Sequence, residues 1–123
     1  MLITVKLRRF EMGLTNGQVR TALQGSIAKW ENVINGASDR GCADCPLCKL
    51  FIYNYNCAGC PISEHTGKGE CYKTPYSEWL KTTKHMWLEY RCSSVHNKQS
   101  LKAAKVMLAF LKKLDHKYFV KGV

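Results

Sequence analysis

Four cysteines in two Cys-x-x-Cys pairs are the residues of this sequence best suited to chemistry. Cys45-Pro-Leu-Cys48 is followed, after eight residues, by Cys57-Ala-Gly-Cys60. In each pair one tight turn can direct two sulfur atoms at one ion, and two such turns complete a tetrahedron. Four thiolates leave zinc no open coordination position, so we predict a zinc site that stabilises the fold.

The identity of the metal stays open at this stage. Cys42 extends the first pair to a Cys-x-x-Cys-x-x-Cys series, and Pro61 directly follows the second pair, a combination that resembles iron–sulfur ligation. The spacing differs from that of bacterial ferredoxins, so an iron–sulfur cluster is the alternative to zinc, and unmetallated thiols or disulfides are the third possibility. Because Pro61 has no N–H to stabilise a sulfur, Cys71 competes for a position of the second pair. The candidate ligands are Cys45, Cys48, Cys57, Cys60 and Cys71.

Basic charge, the second feature with chemical consequences, is concentrated at the C-terminal end of the chain. The formal net charge is +10, and residues 97–123 hold seven lysines against one aspartate. The cysteine segment is slightly acidic, and metal-bound thiolates would make it more negative. A polyanion would therefore meet the lysine-rich end instead. We predict contacts with nucleic acid through Lys98, Lys102, Lys105, Lys112 and Lys113.

Three stretches have apolar residues at every third or fourth position, which is the spacing of amphipathic helices. The first covers about residues 16–35, with Thr15 as its N-cap and Gly36 as its stop. The second covers about residues 75–91, because proline suits the first position of a helix. The third begins after Asn97 and carries the lysines largely away from its apolar face. These three helices are the predicted frame of the molecule.

The remaining segments carry strand and loop signals. Residues 2–7 alternate polar and apolar side chains, the period of a half-buried strand. Residues 50–55 are rich in strand-forming types and would link two metal-binding turns. Residues 37–48 and 61–75 are predicted loops, because they are rich in Gly, Pro and polar types. The predicted fold class is α+β and mainly helical, with about three helices, a short strand or hairpin and a central zinc-bound cysteine loop.

The length supports a single domain over residues 1–123, with a metal-binding segment at about 42–72 and a C-terminal helical segment at about 75–120. Trp30, Trp79 and Trp87 are expected in its core. No apolar run approaches the roughly 20 residues of a membrane helix, and the first residues lack the pattern of a secretory signal. Seven cysteines, an odd number, suit a reducing compartment. We therefore predict a cytoplasmic protein with no membrane contact, of open oligomeric state.

The cysteine pairs belong to a longer ordered set of motifs over about residues 15–80, namely Leu23-Gln-Gly-Ser-Ile-Ala-Lys-Trp-Glu31, Cys45-Pro-Leu-Cys48, Cys57-Ala-Gly-Cys60-Pro-Ile62, Thr66-Gly67, Cys71, and Thr74-Pro-Tyr76 with Trp79. This set resembles a family of small cysteine-rich proteins of unassigned role that occur in bacteriophage genomes. The resemblance implies Cys71 as a fifth site residue, a viral or prophage origin and the cytoplasm of a bacterial host. It implies no activity.

Non-enzymatic binding is the predicted function, and two alternatives accompany it. By analogy with other small phage proteins, the chain would bind and inhibit a host protein such as a component of a defence system. Apolar anchors would then dominate the binding energy. The second alternative is a small metal-dependent nuclease that uses His65 and Glu64 beside a metal with an open position. A fully cysteine-bound ion would oppose that reading.

Overall fold

The computed structural model describes residues 15–55, 61–66, 74–90 and 92–120, and within them the chain is mainly helical. No helix in these ranges combines the length and the apolarity needed to cross a bilayer. The elements, in chain order, are α1 (Asn16–Ile34), a 3-10 turn (Gly41–Asp44), α2 (Pro46–Tyr55), α3 (Pro61–Thr66), α4 (Tyr76–Tyr90), α5 (Lys98–Asp115) and a π-helical turn (His116–Val120).

Helix α1 confirms the first predicted helix and its N-cap. The Thr15 hydroxyl accepts a hydrogen bond from the backbone N–H of Gln18 at 3.1 Å, and the Gln18 side chain accepts one from the N–H of Thr15 at 2.8 Å. This reciprocal pair satisfies two N–H groups that would otherwise lack a helical partner. The helix ends at Ile34, one residue before the predicted end.

The other two predicted helices are confirmed as α4 and α5. Thr74 accepts the N–H of Tyr76 at 3.2 Å, so the chain turns into α4 beside Pro75 as predicted. Asn97 caps α5, because its side chain accepts the N–H of Ser100 at 2.8 Å while the Ser100 hydroxyl accepts the N–H of Asn97 at 3.1 Å. A cap of this kind stabilises a helix by about 1 kcal/mol.

The core lies where α1, α4 and α5 meet. Its apolar side chains recur at the helical spacing that the sequence predicts, and burial of each large one stabilises the fold by about 1.5–3 kcal/mol. Trp30 meets Trp79 edge to face, with ring centroids 5.3 Å apart. Trp87, in contrast, is 36% exposed, so its predicted place in the core is wrong. Among the described residues, the apolar side chains with at most 2% exposure are Val19, Leu23, Trp30, Val33, Leu47, Trp79, Ala104, Leu111 and Leu114.

The segment predicted as a strand at residues 50–55 is helical and forms the second half of α2. Pro46 at the start of α2 favours a helix, and packing against α1 outweighs the strand preference of the later residues. Gly25 lets the two helices approach closely, because a Cβ there would lie 2.9 Å from Cγ of Pro46. A helix therefore begins directly after Cys45, inside the stretch 37–48 that is predicted as a loop. The described residues do not show the predicted zinc-bound loop.

Two further expectations concern loops and strands. The predicted loop at 61–75 contains a short helix, α3, whose Pro61 and Ile62 are buried, and burial explains why this polar segment is ordered there. The predicted strand at residues 2–7 lies outside the described residues. In the described ranges β pairing is limited to one antiparallel bridge, in which Asp39 and Ser93 exchange hydrogen bonds of 2.6 and 2.9 Å.

Candidate functional site

Cys45 and Cys48 form a turn at the N-terminal end of α2. Cys45 directly precedes the helix, and its carbonyl accepts the N–H of Lys49 at 2.9 Å. Both the side chain and the backbone N–H of Cys48 hydrogen-bond to the Cys45 sulfur. The Ser26 hydroxyl on α1 lies 3.6 Å from the same sulfur. The sequence therefore places the two thiols of this pair together, as their spacing predicts.

The electrostatic surroundings of Cys45 favour its thiolate. The hydrogen bond from the Cys48 side chain lowers the pKa of Cys45 to about 6, although burial opposes the shift. The charge of Lys29, the N–H of Cys48 and the Ser26 hydroxyl lower the pKa further. A thiolate at a helix N-terminus also faces the positive end of the helix dipole. Because metals bind the thiolate and not the thiol, this turn suits a metal ligand.

A buried ionic cluster holds the loop that leads to Cys45. Lys29 on α1 lies 2.6 Å from an Asp39 oxygen and 2.8 Å from an Asp44 oxygen. Burial opposes the charge on Lys29, but the two carboxylates outweigh it and raise the pKa of the lysine. The second Asp39 oxygen accepts the indole N–H of Trp79 at 2.9 Å and the hydroxyl of Tyr76 at 3.1 Å. Asp39 thus joins α1 and α4 to the loop.

The complete ligand set of a metal stays a prediction. Cys57, Cys60 and Cys71 lie outside the described residues, and so does the side chain of Cys42. Among the described residues no group of three or more His, Cys, Asp or Glu side chains is arranged to hold a metal ion. The turn at Cys45 and Cys48 fits two thiolate ligands of one ion, which is half of a tetrahedral site.

His65, the candidate base of the nuclease alternative, contacts the C-terminal end of α5. Its Nδ1 lies 2.9 Å from the Tyr118 hydroxyl, and its ring meets Phe110 and Tyr118 edge to face. Partial burial, and then the charges of Lys117 and Lys113, lower the pKa of His65. These contacts attach α3 to α5 and to the π-helical turn that follows it. The side chain of Glu64 lies outside the described part of the chain.

The five lysines predicted to contact nucleic acid lie on one exposed face of α5, which we call the lysine face (Lys98, Lys102, Lys105, Lys112 and Lys113). At about 100° per residue they fall within an arc of about 100°, and the first and last are about 22 Å apart along the axis. The opposite side of α5 is buried, with Met107 near its centre. Because the buried side of α5 packs against α1 and α4, the lysines face solvent.

Among the described residues, no carboxylate is paired with the lysine face. Asp115, the acidic residue of α5, pairs instead with Arg20 on α1, with Nε and Oδ1 3.0 Å apart. None of the five lysines forms an ion pair with a residue that the structure describes. Lys98 also lies in the first turn of the helix, where the dipole disfavours a cation by about 0.3–1 kcal/mol. The N-terminal half of the face is therefore a strongly positive surface.

Sequence reasoning missed the residues that support Cys45. Ser26 is 1% exposed and lies on the apolar stripe of α1, so a polar residue at a stripe position was the available signal. Lys29 and Asp39 gave no signal, because their pairing depends on a loop whose path the spacing does not predict. Buried charges of this kind become visible only once the helices are packed.

The comparison with known proteins found no match for this chain. No protein-family model, no curated protein and no solved structure matches the chain. The two parts of the site, a cysteine turn and a basic helical face on a mainly helical frame, are therefore the basis for any functional conclusion. The resemblance to the phage family stays a prediction.

Proposed function

We propose that this protein is a non-enzymatic binding protein that contacts nucleic acid through the lysine face. The observation that carries the proposal is the set of five exposed lysines within one arc, with no described carboxylate paired to any of them. Phosphates neutralised by lysines release counterions, and this release supplies most of the affinity of sequence-independent binding.

The spacing along α5 suits a phosphate backbone. The face extends over about 22 Å, a length over which B-DNA carries about 13 phosphate charges on its two strands. Five lysines on one side of a helix can meet only a part of these charges. Their side chains are long and flexible, so we expect binding with little sequence preference, since phosphate contacts carry no direct sequence information.

The cysteine turn has a supporting role in this proposal. Cys45 and Cys48, with two of Cys57, Cys60 and Cys71, would hold a zinc ion that stabilises the connection between α1 and the C-terminal helices. An iron–sulfur cluster remains the alternative. Asp39 and Asp44 beside this turn are both paired with Lys29, which holds the loop that leads to Cys45.

The direct test measures binding of fluorescein-labelled 20-nucleotide DNA, duplex and single-stranded, by fluorescence anisotropy at 50 mM salt. A variant with all five lysines changed to Gln is compared with wild type and with a Lys81→Gln/Lys84→Gln control. The control removes two exposed lysines of α4 and leaves the lysine face intact. We expect the five-lysine variant to lose at least about 100-fold in affinity, because it removes five phosphate contacts.

The control variant should retain affinity within about threefold, because attraction between exposed charges is weak beyond about 14 Å at 50 mM salt. Losses in binding free energy that are proportional to the number of lysines removed, five against two, would show that net charge and not this face is responsible. Absence of DNA and RNA binding by the wild type at 50 mM salt would remove the proposal.

One observation favours a second candidate, binding to a host protein. Val106 is 46% exposed beside the lysines, and an exposed apolar side chain is a possible anchor. A pull-down from bacterial lysate, with and without nuclease, separates the two. One protein that is retained after nuclease treatment and lost in Val106→Ser would favour this candidate over nucleic acid.

A further inference from the structure

A cavity of about 620 Å³ lies on the side of α5 opposite the lysine face. Side chains from α1, α2, α3, α4 and α5 contribute to its lining, and so does the loop around Gly41. Cys45 and Cys48 of the cysteine turn are among them, so the cavity adjoins the predicted metal site. Ligand sites in proteins have volumes of about 300–1,000 Å³ and apolar walls with a few polar groups. The size and the position between several helices place this cavity in that class.

The floor of the cavity is apolar and fixed. Trp30, Ile62, Met107 and Leu111 line it and are at most 3% exposed. Trp30 is held in place by its edge contact with Trp79 and by another with Tyr76, whose ring centroid is 5.9 Å away. An apolar body that enters the cavity would leave water and meet these side chains.

The rim is open and carries an aromatic ring. Leu80 and Trp87 are each 36% exposed and line the same cavity. The Trp87 ring approaches Gly41 closely, because a Cβ on that residue would lie 3.4 Å from its ring. Gly41 has φ +64°, a conformation that side chains rarely adopt. The loop therefore lies against the ring of Trp87 at the rim, where the exposed part of the ring can stack on a flat ligand.

The two cationic side chains that line the cavity, Lys29 and Arg40, differ in whether they can bind an anionic ligand. The Lys29 ammonium is already bound by Asp39, Asp44 and the Gly41 carbonyl. Arg40 is exposed, and its guanidinium forms no ion pair with any residue in the described ranges. Arg40 is thus the cation at this cavity that can receive an anionic group, and guanidinium suits a carboxylate in a bidentate pair.

We propose that this cavity binds a small molecule with a flat aromatic body and one carboxylate. The aromatic body lies on the apolar floor against Trp87, and the carboxylate pairs with Arg40. This site is independent of the lysine face, since α5 presents opposite sides to the two.

The probe for the test is 1-naphthoate, and its matched neutral control is 1-naphthalenemethanol. Binding to the purified protein, with any metal retained, is followed by NMR titration of the amide signals and by NOEs from ligand protons to methyl groups. We expect saturable binding and NOEs from naphthoate to the methyl groups of Met107, Leu111 and Ile62.

Three variants separate the contributions. Arg40→Ala should weaken naphthoate about tenfold and leave naphthalenemethanol within twofold, because only naphthoate has a carboxylate that pairs with the guanidinium. Trp87→Ala should weaken both ligands. Val106→Ala, on the far side of α5, is the control and should change neither. Arg40 and Trp87 are exposed or partly exposed, and an unchanged pattern of amide signals would show that each variant is folded.

Absence of a saturable shift at millimolar naphthoate would overturn the proposal. NOEs to other regions alone, or an equal effect of Arg40→Ala on both ligands, would do the same. NOEs in the free protein that show the cavity filled by the protein's own side chains would also overturn it. None of these results bears on DNA binding by the lysine face.

Discussion

Removal of the buried cation Lys29 should destabilise the fold more than any surface charge substitution. In Lys29→Met the side chain keeps much of its length and loses its charge, and Asp39 stays buried with 1% of its side chain exposed. Removing one partner of a buried ion pair costs about 3–5 kcal/mol. Asp39 still accepts hydrogen bonds from Trp79, Tyr76 and Gly41, so we expect the lower end, about 3 kcal/mol.

Urea unfolding followed by tryptophan fluorescence measures this loss, because Trp30 and Trp79 are buried. With a slope of about 1–3 kcal/mol per molar urea, the midpoint should fall by about 1–3 M. The exposed Lys84→Met is the control and should stay within about 0.5 kcal/mol. A double variant Lys29→Met/Asp39→Asn should be more stable than the sum of the single losses predicts. A loss below 1 kcal/mol in Lys29→Met, or strict additivity, would refute the role given to this pair.

Three further predictions test the frame and the metal. Gly25→Ala should lower the free energy of unfolding by about 1–3 kcal/mol, because its Cβ would overlap the rigid Pro46 ring. Gly17→Ala is the control and should not destabilise the fold, because its Cβ would lie 3.7 Å from its nearest neighbour. Similar losses for the two variants in urea unfolding would contradict this prediction. Asn97→Ala should lower the free energy of unfolding by about 1 kcal/mol, because the N-cap of α5 is lost, and Asn97→Ser should lower it less. Equal stability of Asn97→Ala and wild type would contradict this prediction. Chelation by EDTA should lower the Tm of the zinc-loaded wild type and leave the Tm of Cys45→Ser unchanged. A wild-type Tm that does not change with EDTA would count against a structural zinc.

The amphipathic helices were predictable because their signals are local. Thr15 and Asn97 cap helices whose apolar residues recur at the helical period, and α1, α4 and α5 follow that pattern closely. Because the apolar side of α5 is buried, its lysines lie on the opposite, exposed side. A periodic pattern thus predicted the helices and the exposed basic face together.

The failures depend on contacts distant in sequence. Residues 50–55 have strand-forming side chains, yet α2 forms because Gly25 and Pro46 let it pack against α1. The helical spacing of Trp87 predicts a place in the core, but this residue lies at the rim of the cavity, next to the Gly41 loop. The Lys29–Asp39 pair joins residues ten apart across a turn, a distance at which spacing alone has no predictive value.

The salt dependence of DNA affinity tests the central claim most directly. With five phosphate contacts on duplex DNA, the slope of log binding constant against log salt concentration should be about −4.5. Each single Lys→Gln substitution in the lysine face should reduce its magnitude by about 0.9, and the five-lysine variant should show a slope near zero. A wild-type slope near zero, or a slope that survives removal of all five lysines, would contradict nucleic-acid binding through this face.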